Sequence, residues 1–323
     1  MSEVAVTSPL PGGALGRLAV RHAVRVRPPG PPLSGRELAE FVGGARALVC
    51  LLGDRVGAGL FSSCPGLSIV ANYAVGVNNI DLEAARAAGV WVTNTPDVLT
   101  EATADLTWAL ILAVARRVVE GDRLLRAGGF SGWKPDFLLG IGLQGKTLGI
   151  VGLGRIGRAV ARRAAGFGMR VCYVTRDDST PADAGTGEGL DDLDELLTRS
   201  DVLSLHCPLT PETRGLLDAR RLALLPRGAI VVNTSRGEVV DEAALAAALA
   251  SGRIGGAGLD VYEREPAVHP ALLGRSDVVL LPHVGSATTE ARQAMADLAV
   301  DNVLAVLDGR PPVTPVVTPS ARR

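Results

Sequence analysis

Lysine is almost absent from this 323-residue chain: Lys134 and Lys146 are the only two. Neither stands in an apolar, pocket-like context, which argues against a lysine Schiff-base mechanism. Cysteine is sparse too. Cys50, Cys64, Cys172 and Cys207 form no C-x-x-C pair, and each sits in or beside an apolar run. They read as small buried hydrophobes, not as disulfides or zinc ligands, which fits a reducing compartment. Excess charge of either sign is missing. The net charge is −1, so no global field draws the protein to nucleic acid or anionic lipid. Long apolar runs are missing as well: the longest, around Leu106 to Ala115, is bounded by Asp105 and Arg116 and is too short to span a bilayer. Residues 1–13 carry Glu3 and two prolines but no basic region followed by an apolar stretch. No signal peptide is therefore expected, and a cytoplasmic location is.

What is present is ordinary globular material. Hydrophobic residues make up 47% and charged residues 21%, and the length suits two domains. Residues 1–36, rich in proline and glycine, are hard to read. After them, Ala47–Leu52, Leu67–Ala71 and Val90–Thr93 look like buried strands, with a short helix pattern over Asp81–Ala88. Such alternation marks a parallel α/β sheet. A break at Asn94-Thr95-Pro96-Asp97 precedes a long helix with Thr100 as its candidate N-cap. Residues 121–146 read as irregular. A second α/β unit follows, with strands expected at Thr147–Val151, Arg170–Val174, Val202–Leu205, Ala229–Asn233, Gly256–Asp260 and Val278–Leu281, and a helix over Thr288–Leu307. The expected architecture is two Rossmann-like, doubly wound parallel-sheet domains with a cleft between them. One domain is expected from residues 1–98 plus 288–323, the other from 99–287.

Gly152-Leu153-Gly154-Arg155-Ile156-Gly157 is a G-x-G-x-x-G loop that follows an apolar strand and opens a helix, the context a dinucleotide fingerprint requires. Gly152 allows the tight turn, Gly154 lets the backbone approach a pyrophosphate, and Gly157 lets helix and strand pack closely. The helix N-terminus offers unpaired N–H groups and a positive dipole end to the phosphates. The next strand ends Val174-Thr175-Arg176-Asp177. Arg176 lies 19 residues past Gly157, where an acidic residue would bind a ribose 2′-hydroxyl. An arginine there can pair with a 2′-phosphate and Thr175 can donate to it, which favours NADP(H). Asp177, one or two positions late, keeps NAD(H) open, as does a reading of Arg176 as a solvated surface residue.

Three polar residues stand just after expected strands of the second unit: Arg236, Glu265 and His283. Ligands bind at the carboxyl ends of strands in open α/β sheets. Hydride reduction of a 2-oxo acid needs one part of each kind. An arginine fork holds the carboxylate and polarises the ketone, an imidazolium supplies the proton, and a carboxylate orients that imidazole and favours its protonated form. His206 and His269 are rivals for the acid. His206 ends a strand but has no acidic neighbour, and His269 sits in a proline-bounded loop.

These blocks together resemble the D-isomer-specific 2-hydroxyacid dehydrogenase family, glyoxylate/hydroxypyruvate reductase branch. The resemblance runs over roughly residues 45–312, through Ile69–Gly76, Asn94–Asp105, the Gly152–Gly157 loop, Val232–Gly237, Ala257–Pro266 and Pro282–Ser286. It implies that Arg236 is the catalytic arginine, Glu265 the orienting glutamate and His283 the acid–base histidine. It implies further that backbone N–H groups at Val75-Gly76 bind substrate carboxylate and that Leu52 lines the substrate pocket. The implied cofactor contacts are Leu153, Gly154, Arg155, Ile156, Thr175, Arg176, Asp177, Thr234, Asp260 and the turn from His283 to Gly285. A small 2-oxo acid such as glyoxylate or hydroxypyruvate is the implied substrate, and a homodimer the implied assembly. One departure is local: the family usually has Asp-Asn after the substrate loop, where this chain has Asn78-Asn79. Relatives that oxidise phosphite carry a lysine where Val75 stands here. Others act as dinucleotide-sensing corepressors, and a shared triad does not separate those from enzymes.

Overall fold

Short runs of Val, Ile, Leu and Ala become buried parallel strands in the computed structural model, which describes residues 2–176 and 187–319. The chain divides into two compact units, residues 1–99 with 286–323 and residues 100–285.

In the first unit the strands are β1 (Glu3–Val6), β2 (Ala23–Val26), β3 (Ala47–Cys50), β4 (Ile69–Asn72) and β5 (Trp91–Thr93). They lie in the order β2-β1-β3-β4-β5, all parallel, and a late strand, Pro315–Val317, pairs antiparallel with β5. β3 and β4 are buried at every position, which is why they read as continuous apolar runs and not as alternation. Helix Thr289–Leu307 packs on β4 and on helix Ala14–Ala19. Its N-cap is Thr288, whose hydroxyl accepts from the Ala291 N–H at 3.1 Å. The strand order reverses between β1 and β3, so the loops after those strands flank a topological switch point.

The second unit holds β6 (Thr147–Val151), β7 (Arg170–Val174), β8 (Glu188–Gly189), β9 (Val202–Leu205), β10 (Ala229–Asn233), β11 (Ile254–Leu259) and β12 (Val278–Leu280). Their order is β8-β7-β6-β9-β10-β11-β12, all parallel, with the switch between β6 and β9. This is the doubly wound order of dinucleotide-binding sheets, continued by one strand. One face is covered by helix Thr100–Ala115, which packs against helix Arg155–Ala164 and against β10 and β11. The Trp108 indole N–H donates to the Val160 carbonyl at 3.0 Å and the ring stacks on Phe167 at 4.3 Å.

Several boundaries differ from the sequence reading. The opaque first 36 residues contain β1, helix Ala14–Ala19 and β2. Helix Val118–Arg126 enters the segment expected to be irregular. Thr100 is the first helical residue, not a cap outside it. Among the described residues, no helix is long and apolar enough to cross a membrane.

Candidate active site

The glycine loop leaves β6 at its carboxyl end and enters helix Arg155–Ala164 with Gly154 as N-cap. Gly152 has φ +94°, and a side chain there would press within 2.8 Å of the backbone of His206 and Cys207. A Cβ on Gly157 would collide with the Gly152 carbonyl, so that glycine permits the helix to close on the strand. Gly154 is different. A Cβ there would meet no protein atom within 4 Å, so the space above it is free for a ligand. No side chain caps the helix and its first turn carries no acid. The positive dipole end of the helix is thus uncompensated by an acid, and the loop fits a dinucleotide. Leu153 is buried beneath the loop, while Arg155 and Ile156 follow in the first turn.

Thr175 and Arg176 come directly after β7. The Arg176 guanidinium donates to Thr210 Oγ1 at 3.3 Å and stands 3.5 Å from Glu212, while its side chain stays 63% exposed. Asp177 lies outside the described residues.

Beyond β10, Asn233 shapes the turn that presents Arg236. Its Oδ1 accepts from the Ser235 N–H and hydroxyl at 3.0 and 2.8 Å, and its Nδ2 donates to the Arg236 carbonyl at 2.9 Å. Thr234 shares a 2.9 Å hydroxyl contact with Thr107. The Arg236 side chain gives Nη1 to the Ser235 carbonyl at 2.6 Å, but its buried Nε has no hydrogen-bond partner among the described residues. Burial lowers the Arg236 guanidinium's affinity for its proton, against the charges of Glu265 and Glu238, which raise it. A buried orphan donor on a cation is costly without an acceptor, so the site calls for an anionic or carbonyl ligand.

After β11, Glu265 accepts from the Tyr262 N–H at 3.1 Å through Oε1 and meets His283 Nδ1 at 2.9 Å through Oε2. Burial pushes the Glu265 carboxyl up. The His283 hydrogen bond and charge, the Tyr262 N–H and the charge of Arg236 outweigh it and hold the carboxyl below its ordinary value. His283 itself follows β12 with φ +55°, a left-handed conformation that L side chains seldom adopt. Asp260 holds it there. Its two carboxylate oxygens accept from the Val284 and Gly285 N–H groups, each at 2.7 Å. Burial raises the Asp260 carboxyl, partly offset by those N–H groups and by His283. With Nδ1 committed to Glu265, the Nε2 edge of the imidazole is left for a substrate.

The rival histidines are occupied otherwise. His206 faces Ser204 Oγ at 2.8 Å, and burial of its ring pushes its pKa down to about 4. His269 caps helix Pro270–Leu273, accepting from Ala271 N through Nδ1 at 3.3 Å.

In the first unit, Leu52 lies after β3, and Val75-Gly76 lies after β4. Three successive carbonyls of this second loop are engaged. Ala74 accepts from Thr95 N–H at 2.9 Å, Val75 from Asn94 Nδ2 at 2.8 Å and Gly76 from Asn72 Nδ2 at 2.8 Å. No acceptor among the described residues takes the Val75 or Gly76 N–H. The loop therefore commits its carbonyls to the protein and leaves those two N–H groups open to a ligand.

The sequence profile described as "D-isomer specific 2-hydroxyacid dehydrogenase, NAD binding domain" matches residues 108–285. The chain belongs to the D-isomer specific 2-hydroxyacid dehydrogenase family. A glyoxylate reductase of Thermococcus kodakarensis is 46% identical to this dehydrogenase over 97% of the chain and 95% of its own length. A crystal structure of a Thermus thermophilus protein superposes with a TM-score of 0.92 at 51% identity, covering 98% of this chain and all of the other. An NADPH-dependent glyoxylate/hydroxypyruvate reductase from Sinorhizobium meliloti, in complex with NADP and malonate, gives a TM-score of 0.86 at 37% identity over 100% and 99%. The dehydrogenase is thus a nicotinamide-dependent oxidoreductase with two parallel-sheet α/β domains.

The sequence reading missed the buried amides of Asn72 and Asn79 and the anchor Asn94. Asn72 ends the apolar strand Ile69-Val70-Ala71, and a polar residue closing such a strand was the available signal.

Proposed function

We propose that this dehydrogenase reduces glyoxylate, and by the same chemistry hydroxypyruvate, to the 2-hydroxy acid. The observation that carries this reading is the unpartnered Nε of Arg236 in the same unit as the 2.9 Å His283–Glu265 pair. NAD(P)H supplies the hydride when bound. Arg236 offers its fork to the carboxylate and carbonyl of the 2-oxo acid and stabilises the charge that develops on the carbonyl oxygen. His283 gives the proton to that oxygen from Nε2, while Glu265 fixes the ring through Nδ1. The Val75 and Gly76 N–H groups take the substrate carboxylate, and Leu52 borders the position of the substrate's short side chain. Residues 152–157, Thr175, Arg176, Asp177, Thr234, Asp260 and Gly285 form the cofactor site, with NADPH preferred through Arg176. In this reading residues 1–98 with 288–323 form the substrate domain, and 99–287 the coenzyme domain.

The glyoxylate reductase of Thermococcus kodakarensis and the Sinorhizobium meliloti enzyme support this choice of substrate. Steady-state turnover over a panel of 2-oxo acids with NADPH and NADH tests it. Glyoxylate with NADPH should give the highest kcat/KM, and no turnover of any 2-oxo acid would refute the reading.

We also propose a homodimer resident in the cytoplasm. Leu125, Phe130, Trp133 and Leu139 are exposed apolar side chains on one stretch of chain, a surface suited to a second copy. All four cysteines are buried free thiols, as suits a reducing compartment.

A further inference from the structure

Beneath the Val75-Gly76 loop lie two asparagines that face one another. Asn72 is fully buried at the end of β4, and Asn79, also buried, closes the loop. Asn72 Nδ2 donates to Asn79 Oδ1 at 3.2 Å, and Asn79 Nδ2 donates to Asn72 Oδ1 at 3.1 Å. This reciprocal pair uses one N–H of each amide. The second N–H of Asn72 goes to the Gly76 carbonyl at 2.8 Å. The second N–H of Asn79 is shared between the carbonyls of Leu51 and Asp54, both at 3.2 Å. The pair therefore ties the carboxylate loop to the loop that carries Leu52. The Asp54 carboxylate extends the tie to β1. It accepts from Thr7 Oγ1 at 2.5 Å and from the Leu33 and Leu51 N–H groups, both at 2.9 Å. The Cys50 thiol adds a 3.4 Å contact to Asn72 Oδ1. Every loop so joined leaves the carboxyl end of the sheet beside its switch point.

We propose that the Asn72–Asn79 amide pair is a positioning device for substrate binding. It sets the direction in which the Val75 and Gly76 N–H groups point and fixes the spacing of that loop from the Leu52 loop. The proposal rests on the reading that those N–H groups hold the substrate carboxylate. Two amides buried at a strand end are not the means by which a core gains stability, because apolar side chains of the same size would fill that space as well. What a fully satisfied polar pair adds is a single geometry. A flat amide pair permits one register between its two loops, and a displacement of about 1 Å in a binding loop can cost as much as 10²-fold.

The test is Asn72→Asp, which replaces the two amide N–H donors with an oxygen facing the Gly76 carbonyl and Asn79 Oδ1. The expected result is a rise in KM for glyoxylate of about 10- to 100-fold. The kcat at saturating glyoxylate should stay within about threefold, and KM for NADPH should not change, since residues 152–157 are untouched. If Asn72→Asp does not fold, Asn72→Ser removes the same donors with less charge and should show the same split. An unchanged KM for glyoxylate in either folded variant overturns the proposal, as does an equal change in KM for glyoxylate and for NADPH. Gly76→Pro separates this from the underlying reading, because it removes one of the two loop N–H groups itself. If Gly76→Pro raises KM and the Asn72 variants do not, the positioning role falls and the carboxylate site stands. If Gly76→Pro leaves KM unchanged, the carboxylate site falls and the positioning role with it.

Discussion

Glu265 Oε2 lies 2.9 Å from Nδ1 of His283, a residue held at φ +55° by the two N–H bonds that Asp260 accepts from Val284 and Gly285. The ring is thus fixed from two sides, by a carboxylate on its Nδ1 edge and by a clamp on its backbone. Glu265→Gln keeps the shape and removes the charge. It should lower kcat on the order of 10²-fold or more, as when an imidazole loses its orienting carboxylate. The same variant has a signature in stability. Burial raises the Glu265 carboxyl, but its bond to His283 and the neighbouring positive charge and N–H hold it below the ordinary range. A carboxylate held low in the fold contributes stability that is fully present above its unfolded pKa, about 4.3, and is lost as pH falls through the lower folded value. Wild type should therefore melt above Glu265→Gln at pH 7, with the gap closing below pH ~4. A gap that widens in acid would contradict this coupling.

Arg236 should show a trade between stability and activity. Its Nε is buried with no partner among the described residues, so the fold gains little from the charge. Arg236→Met is expected to lose no more than about 1 kcal/mol of stability, and kcat/KM should drop about 10²- to 10³-fold, the scale of one lost oxyanion donor. Arg236→Lys should recover little of that activity, since an ammonium has no planar fork. Chemical denaturation beside steady-state kinetics measures both, and a strongly destabilised yet active variant would place the arginine in the scaffold instead.

In the proposed function, cofactor choice turns on Arg176. A charge-assisted hydrogen bond to a 2′-phosphate is worth about 1.5–3 kcal/mol, or roughly 10- to 100-fold in kcat/KM. Arg176→Ala should reduce the ratio of NADPH to NADH efficiency by that factor. The 3.5 Å contact with Glu212 competes for the guanidinium, so Glu212→Gln should raise the ratio. An Arg176→Ala enzyme with the wild-type ratio would assign the preference elsewhere.

Trp133 is 82% exposed, and Phe130 and Leu139 nearby also face solvent. If a second copy covers them, Trp133→Glu should shift the particle from dimer to monomer in light scattering at micromolar concentration. A wild-type monomer would exclude this assembly.

The candidate site was legible because its parts are local. The glycine loop, the Asn233–Arg236 turn and the His283 turn each lie within a few residues of a strand end, where type and spacing carry the signal. The long, fully buried strands β6 and β10 were legible for the same reason. β1 and β2 were not. β2 is mostly exposed and so has no apolar run, and β1 is placed by pairing with β2 and β3, 20 and 43 residues further along the chain. Helix Val118–Arg126 buries no residue fully, and Gly121 within its nine residues weakens the helical signal of the sequence. Of the Asn72–Asn79 pair only the polar end of β4 was legible; the pairing itself and its carbonyl partners in two loops are set by tertiary structure.

The most direct test of the whole account is the rate of NADPH oxidation with saturating glyoxylate in wild type and in folded His283→Ala. The account predicts ready turnover in wild type and a kcat lower by about 10²–10⁴ in the variant, with NADPH binding retained. A His283→Ala enzyme that keeps wild-type kcat, or a wild type that does not oxidise NADPH with glyoxylate, would contradict it.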